Sequence, residues 1–590
     1  MRFSLRHLAL VVVCGCASPR PVPQAGINAA TPAPAAAAPA PLPAGWPHPP
    51  RATVAPSTQG VVATDAALAT RVGLDMIAAG GNAVDAAVAI AFALAVVYPS
   101  AGNLGGGGFA VARIGGQARA LDFRETAPAA ATKDMFLGSD GKPTSGSREG
   151  YLASGVPGTV AGLAELAGAM GSKAKSWAEL LAPAIKLAEQ GFPVDAGFVA
   201  SLEWPSERLR KNPTSAALFF PGGLPLKAGE IWKNPDLGRV LRRIAEQGRA
   251  GFYQGPTAKA IADEMTASGG LITLADLTGY RAKWRAPLEF SYRGHTVIAM
   301  PPPSSGGVTL AMICNILEEY DLPHMPWHSA GELHYVFEAM RRSFAARNAR
   351  LGDPDFVKNP IDELLSPRWA DQQRASIKPD RATPSSEITG GAPSGNGPHT
   401  THFSVIDAAG GAVALTTTLN WFYGNGVTIP GTGMLMNNEM DDFASVPGNP
   451  NGFGLVQGEP NAIAPGKRML SSMSPTIVLG NDGQVDLVAG AAGGPTIISA
   501  VFGILSSVID HGLDPVAAVS APRFHMQHLP DIVAYEKGGL EPSLEKALRE
   551  MGYALKDRGH LADAPAIGRV PGGWIGAPEP RRQGSLAAGR

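Results

Sequence analysis

From about residue 54 onward, apolar positions recur first with helical and later with strand spacing. Thr64 to Ala79 carries a helical pattern, and Gly80-Gly81-Asn82 stops it. Val84 to Tyr98 is apolar almost throughout and rich in Ala. It contains Asp85 and is short for a bilayer crossing, so it reads as a buried core helix that Pro99 ends. The glycine-rich run Gly102-Asn103-Leu104-Gly105-Gly106-Gly107-Gly108 leads into a strand-like segment, Phe109 to Ile114. No Gly-Lys-Ser/Thr follows it and no helix starts there, which argues against a phosphate loop. Residues 155–280 read as mainly helical, with Trp177 to Gln190 and Leu237 to Gln247 as examples. Residues 286–300 read as strands, and Pro301 to Gly307 as a rigid turn into another helix.

After His399 the spacing shortens. Thr401 to Asp407 alternates and Ala412 to Asn420 alternates again, a β-hairpin pattern. If 407 pairs with 412, Thr401 faces Thr418 and Thr400 lies beside Leu419. Period two then puts Thr416, Thr418 and Asn420 on one face and Val413, Leu415 and Leu419 on the other. Residues 476–489 read as a further strand pair, and Ile498 to Asp510 and Leu544 to Met551 as helices. Strands mixed with helices over one long core predict a layered α/β fold.

Composition changes this picture at the N-terminus. Arg2, Arg6 and His7 precede an apolar run from Leu8 to Val13, and Cys16 follows Val13-Cys14-Gly15. Residues 1–16 therefore read as a signal peptide with a bacterial lipobox that would place a lipid on Cys16, although Cys14 is an unusual neighbour. Residues 17–52 are rich in Ala and Pro and read as an extended linker, giving an exported, periplasmic protein anchored by lipid. Apart from Cys14 and Cys16 there is only Cys314, in an apolar stretch, so neither a disulfide framework nor a Cys-based zinc site is available. A net charge of −1 without a basic stripe argues against nucleic acid.

Residues 376–398 are polar and rich in Pro, Gly and Ser, as in an exposed, cleavable segment. A cut between His399 and Thr400 would expose a threonine whose hydroxyl needs a base. Its own α-amine, free only at a chain start and with a pKa of about 7.7–8.0, can be that base. The hairpin by itself reads as a Thr-rich edge strand.

Several blocks resemble the γ-glutamyltranspeptidase family, in the family's order and across most of the chain from about Val54. Thr400-Thr401-His402-Phe403-Ser404-Val405 is similar to its small-subunit start, Asn437 to Phe443 to its amine-binding segment, and Leu470 to Thr476 to its paired-serine motif. Phe123 to Pro128 is similar to its substrate-arginine motif, and GNLGGGGF, ASGVPGTVAG, MPPPSSGG and LGDPDF also fit.

The resemblance implies an N-terminal-nucleophile hydrolase: an αββα sandwich with two central sheets, formed jointly by a large subunit, 53–399, and a small subunit, 400–590. It implies Thr400 as nucleophile, Thr418 as its hydrogen-bond partner, and Gly493 and Gly494 as oxyanion donors. Arg124, Ser471 and Ser472 would hold a substrate carboxylate, and Asn420, Glu439 and Asp442 an ammonium. Expected substrates are glutathione-like γ-glutamyl amides, with water, an amino acid or a peptide as acceptor and no metal or cofactor. Taken alone, Arg124-Glu125 would be a surface pair, Glu439 to Asp442 a solvated turn, and Gly490 to Gly494 a plain turn after a strand.

Three departures stand out. Gly490-Ala491-Ala492-Gly493-Gly494 replaces a Gly-Ser-Pro-Gly-Gly loop and lies one residue further from Ser472 than in a familiar bacterial member. Phe453 stands where many bacterial members have a lid tyrosine. Trp421-Phe422 is bulkier than usual and bears on acceptor choice. A glutaryl or β-lactam acylase, or a hydrolase of γ-linked polymer, is the alternative of the same fold. A non-catalytic binding lipoprotein fits the residues poorly.

Overall fold

Period-two alternation sends the side chains of each central strand into two different cores. The computed structural model describes residues 42–51, 55–388 and 400–590. One seven-stranded sheet contains β1 (Gly60–Thr64), β2 (Gly107–Ile114), β3 (Gln117–Asp122) and β4 (Lys283–Arg285). A six-stranded sheet begins with β5 (Leu288–Tyr292) and β6 (His295–Ala299). The chain then returns to the first sheet with β7 (Thr401–Asp407) and β8 (Ala412–Thr418). The second sheet is completed by β9 (Thr476–Leu479), β10 (Val485–Ala489), β11 (Ala566–Val570) and β12 (Gly573–Ala577), and β13 (Leu586–Gly589) closes the first.

The strand orders are β13-β1-β7-β8-β2-β3-β4 and β12-β11-β10-β9-β6-β5, antiparallel throughout. Val62, Ala110, Val405, Val413 and Leu415 pack with helices α1 (Ala67–Ala78), α2 (Ala83–Val97) and α3 (Trp177–Gln190). Their neighbours Val61, Val111, Ile406, Ala412 and Ala414 enter a core shared with the second sheet. Beyond that sheet lie α4 (Gly306–Leu317), α5 (Ala330–Arg350) and α6 (Thr496–Ile509). The result is helices, sheet, sheet, helices. Helix α2 starts at a capping box in which Asn82 and Asp85 satisfy each other's amides, and it is buried along its whole length.

Two expectations need correction. Asp407 does not pair with Ala412; Ile406 does, one residue out of the expected register. The turn explains the shift. The Asp407 carboxylate accepts from Ala409 and Gly411 amides, its N–H donates to the Gly411 carbonyl at 2.9 Å, and Gly410 takes φ 76°. That closes a three-residue loop with a left-handed glycine. Thr401 therefore pairs with Thr417, which brings Thr400 opposite Thr418. The second correction concerns the linker expected over 17–52. Its residues 42–51 lie on the body, where Trp46 is buried and its indole N–H donates to the Ser520 carbonyl at 2.8 Å. The signal peptide, Cys16 and His399 fall outside the described residues. Among the described residues, no helix is long and apolar enough to cross a membrane. Cys314 is buried, and burial pushes its thiol well above the ordinary range.

Candidate active site

Thr400 stands at the head of β7, in the middle of the first sheet, and is buried. Its hydroxyl donates to the Thr418 hydroxyl at 3.3 Å. Thr418 Oγ1 also accepts the Asn420 amide at 2.8 Å. On the same face, His402 Nδ1 lies 2.9 Å from Thr416 Oγ1, and Ser404 Oγ donates to the Val488 carbonyl across the sheets. The polar face read from the hairpin thus points into the space between the sheets. Burial pushes His402 down to about 3, so it is a neutral footing beneath the site. Behind Thr400, Thr401 donates to Asp65 at 2.9 Å, and Asp65 is raised to about 8, chiefly by burial and then by nearby Asp563.

The glycine run supports β8 rather than binding an anion. A side chain on Gly106 or Gly108 would lie 2.1 or 2.2 Å from the Thr418 or Thr416 carbonyl. Only glycine permits that approach. Past β8 the chain turns at Asn420, φ 75°, and Asn420 Nδ2 donates to the Asn438 carbonyl at 3.0 Å. Asn437 ties the turn to both glycine-rich blocks, donating to the Gly105 and Gly155 carbonyls at 2.8 Å.

Arg124 is completely buried, and its two terminal nitrogens are paired with Glu439 and Asp442. It is neither a surface pair nor opposite a solvated turn. Burial opposes the Arg124 charge, but Glu439, Asp442 and Glu125 outweigh it and hold the guanidinium above its ordinary pKa. The same burial raises Glu439 and Asp442. Glu439 Oε2 and both Glu125 carboxylate oxygens are buried without a hydrogen-bond partner among the described residues.

Ser471 is cradled by the PPPSSGG turn, accepting from the Ser305 amide at 2.8 Å and donating to the Pro303 carbonyl at 2.9 Å. Ser472 Oγ accepts from Arg347 Nη2 at 3.2 Å. Arg347, on α5, is buried and pushed down to about 10 by desolvation. No sequence block singled it out.

Gly493 and Gly494 take φ 152° and 58° at the N-terminus of α6, and among the described residues neither amide has an acceptor. Such amides suit a developing oxyanion. A side chain on Gly494 would lie 2.8 Å from the Phe453 ring, so Phe453 closes over this loop. Arg124, Asn420, Glu439, Asp442, Ser471, Ser472, Phe453 and Gly494 line one narrow pocket of about 20 Å³ with Thr400 at its edge. On the other side Thr400 and Gly493 border a cavity of about 480 Å³. Among the described residues, no group of three or more His, Cys, Asp or Glu is placed to hold a metal ion.

The layering, with a threonine at the head of a central strand facing paired glycine amides, is that of the N-terminal-nucleophile hydrolases. The model of the family described as Gamma-glutamyltranspeptidase matches residues 69–589. The glutathione hydrolase proenzyme of Pseudomonas sp. (strain A14) is 46% identical over 546 residues, 90% of this chain and 94% of that protein. The glutathione hydrolase proenzyme of Escherichia coli (strain K12) is 45% identical over 548 residues, 92% and 93% of the two chains. The crystal structure of cephalosporin acylase from Bacillus halodurans is similar with a TM-score of 0.80 and 28% identity, over 93% of this chain and 99% of that one. The chain belongs to the γ-glutamyltranspeptidase family.

Proposed function

We propose that the chain cuts itself between His399 and Thr400 and then acts as a γ-glutamyltransferase and hydrolase of glutathione and similar γ-glutamyl amides. The observation that carries this is that Thr400 lines one pocket together with Gly494 and the paired buried charges of Arg124, Glu439 and Asp442. In the precursor, Thr400 Oγ attacks the carbonyl carbon of residue 399, the peptide C–N bond breaks as the Thr400 nitrogen gains the hydroxyl's proton, and water hydrolyses the resulting ester to a carboxylate and the free Thr400 hydroxyl. The freed α-amine of Thr400 then takes the hydroxyl proton as Oγ attacks a γ-glutamyl carbonyl. Gly493 and Gly494 receive the oxyanion. When the carbon–nitrogen bond breaks, the same amine returns the proton to the leaving group. Water or an amino acid or peptide amine then takes the acyl group and restores Thr400.

The pocket's charge balance suits a zwitterionic head. The substrate carboxylate takes over the Arg124 fork, assisted by Ser471 and Ser472. Its ammonium takes over Glu439 and Asp442, assisted by Asn420, so every buried charge stays paired. A glutaryl head would bring only the carboxylate and leave the acids unpaired. Export and a lipid on Cys16 are supported by the layout of residues 1–16.

The test is purification followed by N-terminal sequencing and intact mass of the pieces, then product analysis with glutathione. The expected result is two pieces, the smaller beginning at Thr400, and release of glutamate, or of γ-glutamyl peptide when a dipeptide is present. Active protein that runs as a single intact chain would contradict it.

A further inference from the structure

Residues 42–51 precede the first strand, yet they are fastened to a turn near the other end of the chain. Trp46 is the footing. Its ring packs against Gly538 and Gly539, and the Arg581 guanidinium lies 5.5 Å from its centroid. Beside it the Ala44 N–H donates to the Glu541 carboxylate at 2.9 Å. From that footing Arg51 reaches the turn of residues 580–585. One terminal nitrogen of Arg51 donates to the Pro580 and Arg582 carbonyls at 3.1 and 2.9 Å, and the other donates to the Ser585 carbonyl at 3.2 Å. The guanidinium is a rigid planar fork, so gripping three carbonyls at once fixes the shape of the turn.

Arg582 is held at both ends. Its carbonyl accepts from Arg51, and its side chain donates to Asp563 Oδ2, from Nε at 3.0 Å and from a terminal nitrogen. Asp563 Oδ1 lies 2.9 Å from His560 Nε2. The backbone of Asp563 is paired with Ala492. The Ala492 N–H donates to the Asp563 carbonyl at 2.7 Å, and the Asp563 N–H donates to the Ala492 carbonyl at 2.9 Å. The next residue is Gly493. A side chain there would lie 3.0 Å from the Leu561 carbonyl and 3.2 Å from Ala562 Cβ. Residues 561–563 are therefore the seat of the loop that carries Gly493, and Arg582 fastens that seat to the turn. Among the described residues, Arg124, Glu439, Asp442, Ser471 and Ser472 share no hydrogen bond with 580–585.

We propose that Arg51 is a positioning residue for the reaction: through the 580–585 turn, Arg582 and Asp563, it sets the direction of the Gly493 amide. A stretch that precedes the first strand is thereby part of the reaction centre. The oxyanion task of Gly493 rests on the γ-glutamyl transfer reading above.

The test compares Arg51→Gln and Arg51→Lys with wild type in hydrolysis of γ-glutamyl-p-nitroanilide, with rates expressed per cleaved chain. Removing an oxyanion donor outright lowers kcat about 10²–10³-fold, so misdirecting one in Arg51→Gln should lower it about tenfold. KM should stay within about twofold, because the narrow pocket keeps its partners. Lys offers one ammonium where the guanidinium spans the turn, so the kcat of Arg51→Lys should fall between those of wild type and Arg51→Gln. A merely structural role would lower the thermal midpoint and the yield of cleaved chain, and leave kcat per cleaved chain alone. Wild-type kcat in Arg51→Gln, or a loss carried by KM, overturns the inference. If Arg51→Gln gives no cleaved chain, Arg51→Lys decides by the same split: a lower kcat at constant KM supports the inference, and a wild-type kcat overturns it. Wild type that releases no p-nitroaniline overturns the functional reading, and the inference with it.

Discussion

The two spaces that meet at Thr400 are built on opposite plans. The pocket of about 20 Å³ is lined by Arg124, Glu439 and Asp442, which are paired with one another before any substrate enters. The 480 Å³ cavity has one charged end and much open volume. Paired charges in a tight, buried pocket accept only a ligand that replaces each partner, because one charge left unpaired there costs several kcal/mol. Open volume with a partly exposed charge tolerates many shapes and ranks them weakly. A strict narrow pocket and a permissive cavity follow from burial, whatever the reaction rate.

The largest expected effect removes what the two sides share. Thr400→Ala should abolish cleavage and lower turnover by roughly 10⁴-fold or more. A cleaved or active variant, seen on a denaturing gel or in an amide-release assay, would remove Thr400 from the centre of the comparison. Next, Asp442→Ala should lower kcat/KM for a γ-glutamyl donor by about 10²–10³-fold, the equivalent of about 3–5 kcal/mol for a broken buried pair. The same variant should alter a glutaryl donor only slightly. Equal losses on both donors would mean that the narrow pocket does not read the ammonium. Thr418→Val removes the partner of the Thr400 hydroxyl and should lower kcat about tenfold, with KM nearly constant. A change confined to KM would mean that Thr418 does not orient the Thr400 hydroxyl for attack.

The smallest effect separates the footings of the two sides by pH. His402, under the narrow pocket, sits at about 3 in the folded protein against an ordinary 6.5. Below pH 6.5 the unfolded chain takes up a proton that the folded His402 refuses. Its stabilising contribution is complete above 6.5 and declines toward pH 3, by at most about 1.4 kcal/mol per unit. His560, on the cavity side, is raised, so its contribution is complete below the ordinary value and declines as pH rises through its folded pKa. Thermal midpoints between pH 4 and 9 should show His402→Gln flattening the acid slope and His560→Gln the alkaline one. Parallel curves for the two variants would erase the distinction.

Local signals made much of this legible in the sequence. Trp177–Gln190 has the bounds expected for it, and the structure shows why: Ser176 and Glu179 form a capping box at its start and Gly191 ends it. The hairpin was legible, but not its register, because Asp407 folds its own carboxylate into the turn. Trp46 was hidden in an Ala/Pro-rich stretch, where one aromatic decides the docking. Gly493, Gly494 and the Asn437–Phe443 segment came through family resemblance, since each alone has a plainer reading. Arg347 and Arg582 were not legible. Arg347 lies in the last turn of α5 with no local motif, and its contact with Ser472 joins residues 125 positions apart. Arg582, on the wall of the 480 Å³ cavity, acquires its setting only when β13 returns the chain end to β1.

That return has a further consequence. β1 to β4 precede residue 399 and β7, β8 and β13 follow it, yet they interleave as β13-β1-β7-β8-β2-β3-β4. A cut at 399–400 spares every ladder hydrogen bond among the described residues while severing the tether between the two parts of the sheet. Denatured precursor refolds as one molecule. Denatured mature protein must first bring two molecules together, so its recovery should slow and fall on dilution. Cleavage at that bond would thereby make the folding equilibrium depend on concentration, and at high dilution the mature protein would rely more on its barrier to unfolding.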